Sequence, residues 1–248
     1  MELEEELRRK IAQIQPLDER AMALAKKRWD SIAHPLHSLG LLEDAIVTIA
    51  GAQGSHQVEL NKRCVTPFCA DNGVVAQGVT QSGQDVTTIV TKNFCIGEAS
   101  VCVMARVAGA DVIPVDIGVA QDVTEPGLRV HKIAYGTADI TQGPAMTREQ
   151  AADAILYGMN LVKELKEEGY RLIATGEMGI GNTTTSSALL SVLLHRPVEE
   201  MTGRGAGLSS EGLKRKIDAI HRAIEVNQPD PDDPLDTLHK VGGLDIAG

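Results

Sequence analysis

The sequence predicts an α/β fold, a Rossmann-like, three-layer arrangement in which a parallel sheet is flanked by helices. Short apolar runs of strand length alternate with longer stretches of helical periodicity, which is the pattern of a parallel sheet with crossover helices. The runs end in acidic residues or glycines, which are turn signals. With 248 residues, 43% of them hydrophobic, the chain is long enough for one large domain or two small ones. We expect residues 1–58 to form an N-terminal helical part of a smaller domain, and residues 59–248 to form the α/β domain.

The first half of the chain supplies two helices and two strands of this pattern. Apolar spacing predicts a helix over residues 3–31, interrupted near Pro16, and a second helix over 41–52. An apolar run over 64–70 predicts the first buried strand, followed by the turn at Asp71. Helical spacing returns over 84–108, with an interruption at Gly97, and a second strand is predicted over 111–118.

The second half continues the alternation. Thr147 and Gln150 form a capping-box pattern that predicts a helix over 148–168. A third strand over 171–175 leads into a glycine-rich stretch, and helices are predicted over 183–194 and 211–226. Ligands bind at the carboxyl ends of the strands in such sheets. We therefore expect Asp71, Asp116 and Glu177, which follow the predicted strands, to share one cleft.

Composition and charge argue against several classes of partner. A net charge of −10 without clustered basic residues, and only 2% aromatic residues, indicate that the protein does not bind nucleic acid. The four cysteines form no CxxC pair and have no histidine at a ligand spacing, so we expect no metal site and a reducing compartment. An acidic N-terminus and the lack of a long apolar run predict a cytoplasmic protein without a membrane span.

The glycine-rich stretch indicates a phosphate site. Gly176, Gly179 and Gly181 allow close approach of the backbone, and the following helix directs free N–H groups and its positive dipole end at a ligand. Asn182 and Thr183 add hydrogen-bond donors. Asn182 stands where an ATP-binding loop has its lysine, which favours a monophosphate over ATP. The glycine spacing also differs from that of dinucleotide-binding enzymes, which argues against an NAD-dependent enzyme.

Glu177 and Lys216 are the charged residues of interest near the glycines. An acid inside a phosphate loop repels phosphate, so Glu177 is expected to face the sugar and stabilise positive charge at the anomeric carbon. The alternative is that Glu177 only complements the helix dipole. Lys216 belongs to a basic triplet over 214–216, two members of which are expected to face solvent. It follows a second glycine cluster that contains Gly203 and Gly205.

The stretch from Gly176 to Thr184 resembles the signature loop of the nicotinate-nucleotide–dimethylbenzimidazole phosphoribosyltransferases. Further matches follow in order along the whole chain, at residues 38–40, 71–74, 78–80, 115–119, 143–146, 227–229 and 241–246. The resemblance implies transfer of phosphoribose from nicotinate mononucleotide to 5,6-dimethylbenzimidazole, giving α-ribazole phosphate and nicotinate during cobalamin assembly. It implies inversion at the anomeric carbon, no metal or other cofactor, and a homodimer.

The resemblance also implies roles for single residues. Glu177 matches an active-site glutamate, and Lys216 matches a lysine that contacts the phosphate. Gly176, Gly179 and Asn182 fall in the phosphate–ribose loop. Ser82 matches a serine that lines the pocket of the aromatic base, although an ordinary loop serine before a helix remains the alternative.

Two departures from the family pattern limit what the resemblance implies. A glutamine that lines the base pocket in some members falls near Ile89 and Val90 here, which leaves purine or phenolic bases open as acceptors. The family's general base, a glutamate in a C-terminal Gly-Glu-Gly type motif, has no counterpart in residues 1–248, and we expect the domain to be truncated at its C-terminal end. The alternative function is a catalytically incomplete nucleotide-binding subunit that pairs with a complete paralogue.

Overall fold

The computed structural model describes residues 2–248, which form two compact units. One unit runs from Arg8 to Asn61, and the other comprises Lys62–Gly248 together with the residues up to Leu7. The sequence-based division at residues 58 and 59 remains a prediction. Among residues 2–248, no helix is both long and apolar enough to cross a membrane.

The smaller unit is helical. Its main elements are α2 (Glu19–Asp30) and α3 (Leu41–Gln53), and helix α1 (Glu2–Ile11) precedes them. The predicted helix over 3–31 is therefore two helices, because Pro16 has no N–H to donate and lies in the segment between them. The side chain of Asp18 caps α2 by accepting a hydrogen bond from the Ala21 N–H (2.9 Å).

The larger unit is built on a parallel sheet centred on β1 (Arg63–Ala70). Strand β5 (Leu172–Met178) runs along one edge of β1 over the full register from Arg63 to Cys69. The other edge pairs first with β2 (Asp111–Val112) and then with β3 (Val115–Gly118), which in turn pairs with β4 (Arg129–Val130). The predicted strand over 111–118 is thus two strands, because Pro114 removes a ladder N–H between them.

Helices flank this sheet, as the sequence predicts. They are α4 (Asp85–Ile96), α5 (Ser100–Ala108), α6 (Arg148–Glu167), α7 (Asn182–Leu193), α8 (Val198–Met201), α9 (Ser210–Asn227), α10 (Pro234–Val241) and α11 (Leu244–Ala247). Gly97, with a positive φ of 79°, ends α4, which confirms the predicted interruption of the 84–108 helix. The capping box of Thr147 and Gln150 is also confirmed at the start of α6.

The core of the larger unit lies on the side of the sheet that α6, α9 and α11 share. Its fully buried side chains include Ile117, Leu161, Leu165, Ile220 and Leu244. A smaller cluster around Cys69, Phe94 and Cys102 packs under α4 and α5. Helix α11 contacts α6, β1, β3, β5 and α7, so this short helix lies close to the carboxyl end of the central strands.

Candidate functional site

The glycine-rich stretch is only partly a loop. Strand β5 continues through Gly176 and Glu177 to Met178, because the backbone of β1 keeps pairing with it as far as Cys69. The turn itself is residues 179–181. Gly181, at φ 100°, is the N-cap of α7 and requires a residue without a Cβ. The predicted strand end at 175 is therefore wrong, and Gly176 and Glu177 belong to the strand.

The turn forms one wall of a cavity of about 240 Å³. Five of the predicted site residues line it, namely Ser82, Gly179, Gly181, Asn182 and Thr183. The opposite wall comes from the second glycine cluster, through Arg204, Ala206 and Leu208. This volume lies below the roughly 300–1,000 Å³ of clefts that bury whole drug-sized ligands, and it fits a phosphoribosyl-sized group. Met178 adds an apolar residue to the lining of the same cavity.

Lys216 lies directly behind this cavity wall. Its ammonium donates hydrogen bonds to the Thr183 hydroxyl (2.8 Å) and to the Gly203 carbonyl (3.2 Å). The residue is 0% exposed, and within residues 2–248 no carboxylate forms an ion pair with it. Burial lowers the pKa of Lys216 to about 8. The other two members of the basic triplet, Lys214 and Arg215, are exposed, as predicted.

Gly205 makes the approach of Lys216 and Thr183 possible. A Cβ at this position would lie 2.7 Å from the Thr183 hydroxyl oxygen and 3.6 Å from the Lys216 ammonium, and the φ of 55° also favours glycine. The predicted residues Lys216, Gly203, Gly205 and Thr183 therefore form one cluster at the start of α7. That helix start has no side-chain cap, so a phosphate could accept its N–H groups.

Glu177 lies at the end of β5, and its carboxylate accepts a hydrogen bond from the Asn182 side chain. Although the residue is exposed, partial burial of its carboxyl raises its pKa above the ordinary value, and the hydrogen bond from Asn182 opposes that effect. Because Asn182 also lines the cavity, it links the carboxylate to the predicted phosphate site. A role in complementing the α7 dipole remains the alternative for Glu177.

Asp71 and Asp116 do not line the cavity, contrary to the expected shared cleft. Asp71 is 1% exposed, and its carboxylate accepts a hydrogen bond from the Ala120 N–H (2.7 Å). Asp116 is 0% exposed and pairs with Lys132 (2.9 Å). Both side chains turn into the protein because β1 and β3 are central strands, covered on both faces.

Asp71 nevertheless contacts the turn through a second residue. The Thr87 hydroxyl accepts a hydrogen bond from the Ile180 N–H (3.1 Å), and the Thr87 side chain lies close enough to the Asp71 carboxyl to lower its pKa. Desolvation raises the pKa of Asp71, while the hydrogen bond from Ala120 and the nearby Thr87 side chain lower it. The geometry therefore places Asp71 behind the glycine turn, where it supports the backbone and does not touch a ligand in the cavity.

Gly176 lies away from the phosphate cluster. It faces Pro67 of β1 and, together with Glu177, lines a separate cavity of about 450 Å³ between the sheet and helices α4 and α5. Arg204, which was not predicted as a site residue, lines the first cavity, and its guanidinium donates to the Leu208 carbonyl (2.8 Å) and the Ser210 hydroxyl (3.2 Å). An arginine between two glycines in an acidic chain was the available signal. Within residues 2–248, no group of three or more His, Cys, Asp or Glu residues could hold a metal ion.

Comparison with known proteins gives consistent matches over nearly the whole chain. A family model described as phosphoribosyltransferase (DBI_PRT) matches residues 14–248. The nicotinate-nucleotide–dimethylbenzimidazole phosphoribosyltransferase of Acetivibrio thermocellus is 48% identical over 227 residues, which cover 92% of this chain and 65% of that protein. The enzyme of the same name from Ruminiclostridium cellulolyticum is 47% identical over 237 residues, covering 96% of this chain and 67% of its own.

A solved structure matches the fold as well. The crystal structure of CobT from Thermus thermophilus superposes with a TM-score of 0.86 at 39% sequence identity, over 92% of this chain and 68% of that one. The chain thus spans 65% to 68% of the length of these relatives.

Proposed function

Because the chain belongs to the DBI_PRT phosphoribosyltransferase family, we propose that it transfers the phosphoribosyl group of nicotinate mononucleotide to 5,6-dimethylbenzimidazole or a related base. The products are α-ribazole 5′-phosphate and nicotinate, in the assembly of the cobalamin nucleotide loop. The Lys216 cluster, the glycine turn and Glu177 form the donor half of the site, which holds the nucleotide.

The burial of Lys216 without an ion-pair partner is the observation that carries the proposal. A lysine that is 0% exposed, bonded only to a hydroxyl and a carbonyl among residues 2–248, is a costly feature for a fold unless an anion neutralises it. The start of α7 and the Thr183 hydroxyl offer further donors at the same place. A phosphate monoester bound there accepts hydrogen bonds from all three and raises the pKa of the lysine towards its ordinary value.

Glu177 and Asn182 account for the transfer step. As the glycosidic bond to nicotinate breaks, positive charge develops on the ribose ring, and the Glu177 carboxylate stabilises that charge in the transition state. Asn182 holds the carboxylate in place. Ser82 and Met178 lie on the cavity wall, where they contact the flat apolar base. The phosphate is bound equally before and after transfer, so Lys216 contributes to binding and Glu177 to rate.

We propose that the protein acts as a homodimer in the cytoplasm, as the resemblance implies. Helix α5 presents exposed apolar side chains at Val103 (49% exposed), Met104 (71%) and Val107 (88%), which suit a contact with a second copy. All four cysteines are free thiols, which suits a reducing compartment. Light scattering during size-exclusion chromatography measures the mass, and Val107→Glu shifts a dimer towards the monomer if α5 is the contact.

The test of the function is base-dependent release of nicotinate. The protein is incubated with nicotinate mononucleotide and a panel of benzimidazole, purine and phenolic bases, and both products are separated by chromatography. Any nicotinate released is expected to be matched by an equal amount of α-ribazole phosphate. Lys216→Met is expected to abolish nucleotide binding measured by calorimetry, whereas Lys214→Met, an exposed lysine on the same helix, retains it.

Two results contradict the proposal in different ways. Nucleotide binding without release, with any base, favours the nucleotide-binding subunit over the transferase. Absence of nucleotide binding removes the phosphate assignment of Lys216 as well.

A further inference from the structure

A buried acid lies directly beneath the glycine turn. Asp245, at the start of α11, is 3% exposed, and its carboxyl accepts hydrogen bonds from the Asn72 side-chain amide (3.1 Å) and from the Ile246 N–H (3.0 Å). Asn72 is itself 0% exposed and follows β1. The pair joins the end of the chain to the central strand, 173 residues apart in sequence.

Two glycines make room for this pair. At Gly179, a Cβ would overlap the Asp245 carboxyl oxygen and lie 2.7 Å from the Asn72 amide nitrogen. At Gly243, a Cβ would overlap the other carboxyl oxygen and lie 2.6 Å from the Asn72 amide oxygen. The carboxyl therefore lies between the backbone of the turn and the backbone that begins α11, and neither side leaves space for it to move.

The energetics of Asp245 argue against a purely structural role. Within residues 2–248 no basic side chain forms an ion pair with it, so its charge lacks compensation in the interior. A buried acid of this kind is unfavourable for folding compared with a neutral side chain of the same shape. Positions that are unfavourable for stability are concentrated at functional sites.

The groups proposed to act on the sugar flank the turn above Asp245, with Glu177 at the end of β5 and Asn182 at the start of α7. The Asn182 N–H donates to the Gly179 carbonyl (3.0 Å), and the Asn182 side chain holds the Glu177 carboxylate. A shift of Gly179 therefore moves Asn182 and Glu177 together. Lys216, in contrast, lies on α9, and its ammonium is also held by the Gly203 carbonyl of the second glycine cluster (3.2 Å).

We propose that Asp245, through Asn72, is a positioning residue that fixes the Gly179 turn and so sets the place of Glu177 beside the sugar. This inference rests on the proposed function for its kinetic consequence, but its structural consequence is independent of it. Loss of the pair lowers turnover more than it weakens nucleotide binding, because the phosphate contacts stay in place.

The experiment compares Asp245→Asn and Asn72→Ala with the matched control Asn227→Ala. Asn227 is also a buried asparagine of the larger unit, and its amide donates to the Ile140 and Ala223 carbonyls, away from the turn. Amide hydrogen exchange is measured by NMR without substrate, followed by kcat and KM for nicotinate mononucleotide. All measurements are made well below the melting temperature.

The expected result is at least about tenfold faster exchange at the Ile180 and Asn182 amides in both test variants, and no change there in Asn227→Ala. We expect kcat to fall by about tenfold or more, with KM within about threefold of the wild type, as small misplacements of reacting groups produce. The double variant Asp245→Asn/Asn72→Ala is expected to resemble the single variants, because Asn72→Ala removes the amide donor, Asp245→Asn leaves one acceptor oxygen for two donors, and both therefore weaken the same contact.

Unchanged amide exchange at the turn in Asn72→Ala overturns the inference. If Asp245→Asn does not fold, Asn72→Ala alone decides the test. Wild-type kcat in both variants overturns it equally. A wild-type protein without transferase activity refutes the proposed function instead, and the exchange measurement then decides the positioning role alone.

Discussion

At Lys216 the requirements of protein stability and of function are most clearly opposed. Its pKa of about 8 in the folded protein shows that burial disfavours its charge. We expect Lys216→Met to raise the free energy of unfolding at pH 7 by roughly 1–3 kcal/mol, because a side chain of similar length fills the space without a buried charge. Urea denaturation measures this, with Lys214→Met as the exposed control, expected within about 0.5 kcal/mol of the wild type. A less stable Lys216→Met protein contradicts the idea that the ammonium is unfavourable for the fold.

The same pKa predicts how nucleotide affinity depends on pH. The ammonium must be charged to bind phosphate, and in the free protein it loses its proton above about pH 8. The dissociation constant for nicotinate mononucleotide is therefore expected to rise by up to about tenfold per pH unit above that value. Calorimetric titrations between pH 7 and 10 measure it. A constant affinity over this range argues that Lys216 does not contact the phosphate.

Glu177 is expected to affect the rate and not the binding. Its carboxylate lies beside Asn182 and not beside the Lys216 cluster. We expect Glu177→Gln to lower kcat by about 100-fold and to change the nucleotide dissociation constant by less than about threefold. Glu225→Gln, an exposed position on α9, is the control. If kcat stayed near the wild-type value, the dipole-complementing role would be the better explanation of Glu177.

At the scale of elements, the sequence predicted those whose ends carry a local chemical signal. Gly97 and Thr147 mark helix ends correctly, because a positive φ and a capping box depend on residues close in sequence. The end of β5 was wrong, because Gly176 signals a turn locally while its pairing with Pro67 of β1 keeps it in the strand. That pairing depends on residues more than 100 positions away.

The candidate site shows the same division. The glycine turn and Thr183 were indicated by their own residue types, whereas Lys216 was singled out from its basic triplet only by the family resemblance. Helix α10 was missed even though Asp233 caps it and Pro234 follows in its first turn, a signal that the sequence does contain. Asp71 could not be placed, because only the fold shows that its carboxyl turns inward to Ala120.

A substitution at Gly205 tests whether the second glycine cluster must approach α7 closely. An added Cβ would press on the Thr183 hydroxyl and would also strain a backbone with φ of 55°. Gly205→Ala is therefore expected to weaken nucleotide binding by about tenfold or more, because Thr183 and Lys216 can no longer meet. Gly143→Ala serves as the control, since a Cβ there has nothing within 4 Å. Unaltered nucleotide affinity in Gly205→Ala would show that the cluster does not need this contact.

For the whole molecule, two buried groups change the free energy of unfolding with pH, in different pH ranges and in opposite directions. Burial raises the pKa of Asp245 to about 7, with a further contribution from the nearby Glu177, while burial lowers the pKa of Lys216 to about 8. Between about pH 4 and 7 the folded protein holds the Asp245 proton more tightly than the unfolded chain, so this contribution to stability is lost as pH rises. Between about pH 8 and 10.5 the unfolded chain binds the Lys216 proton more tightly, so stability recovers as pH rises.

The summed contribution of Asp245 and Lys216 to the free energy of unfolding is therefore expected to be lowest between about pH 7 and 8. In this range Lys216 still carries the charge that binds phosphate. The measurement is the free energy of unfolding of Asp245→Asn and Lys216→Met relative to wild type, by urea denaturation from pH 4 to 10, because differences cancel the titration of all other groups. The free energy of unfolding of Asp245→Asn, relative to the wild type, is expected to rise from pH 4 to 7 and then to level off. The Lys216→Met advantage is expected to be constant up to about pH 8 and to shrink above it. Differences that do not vary with pH would show that neither burial acts on the charge, and the functional argument from an unfavourable buried lysine would lose its physical basis.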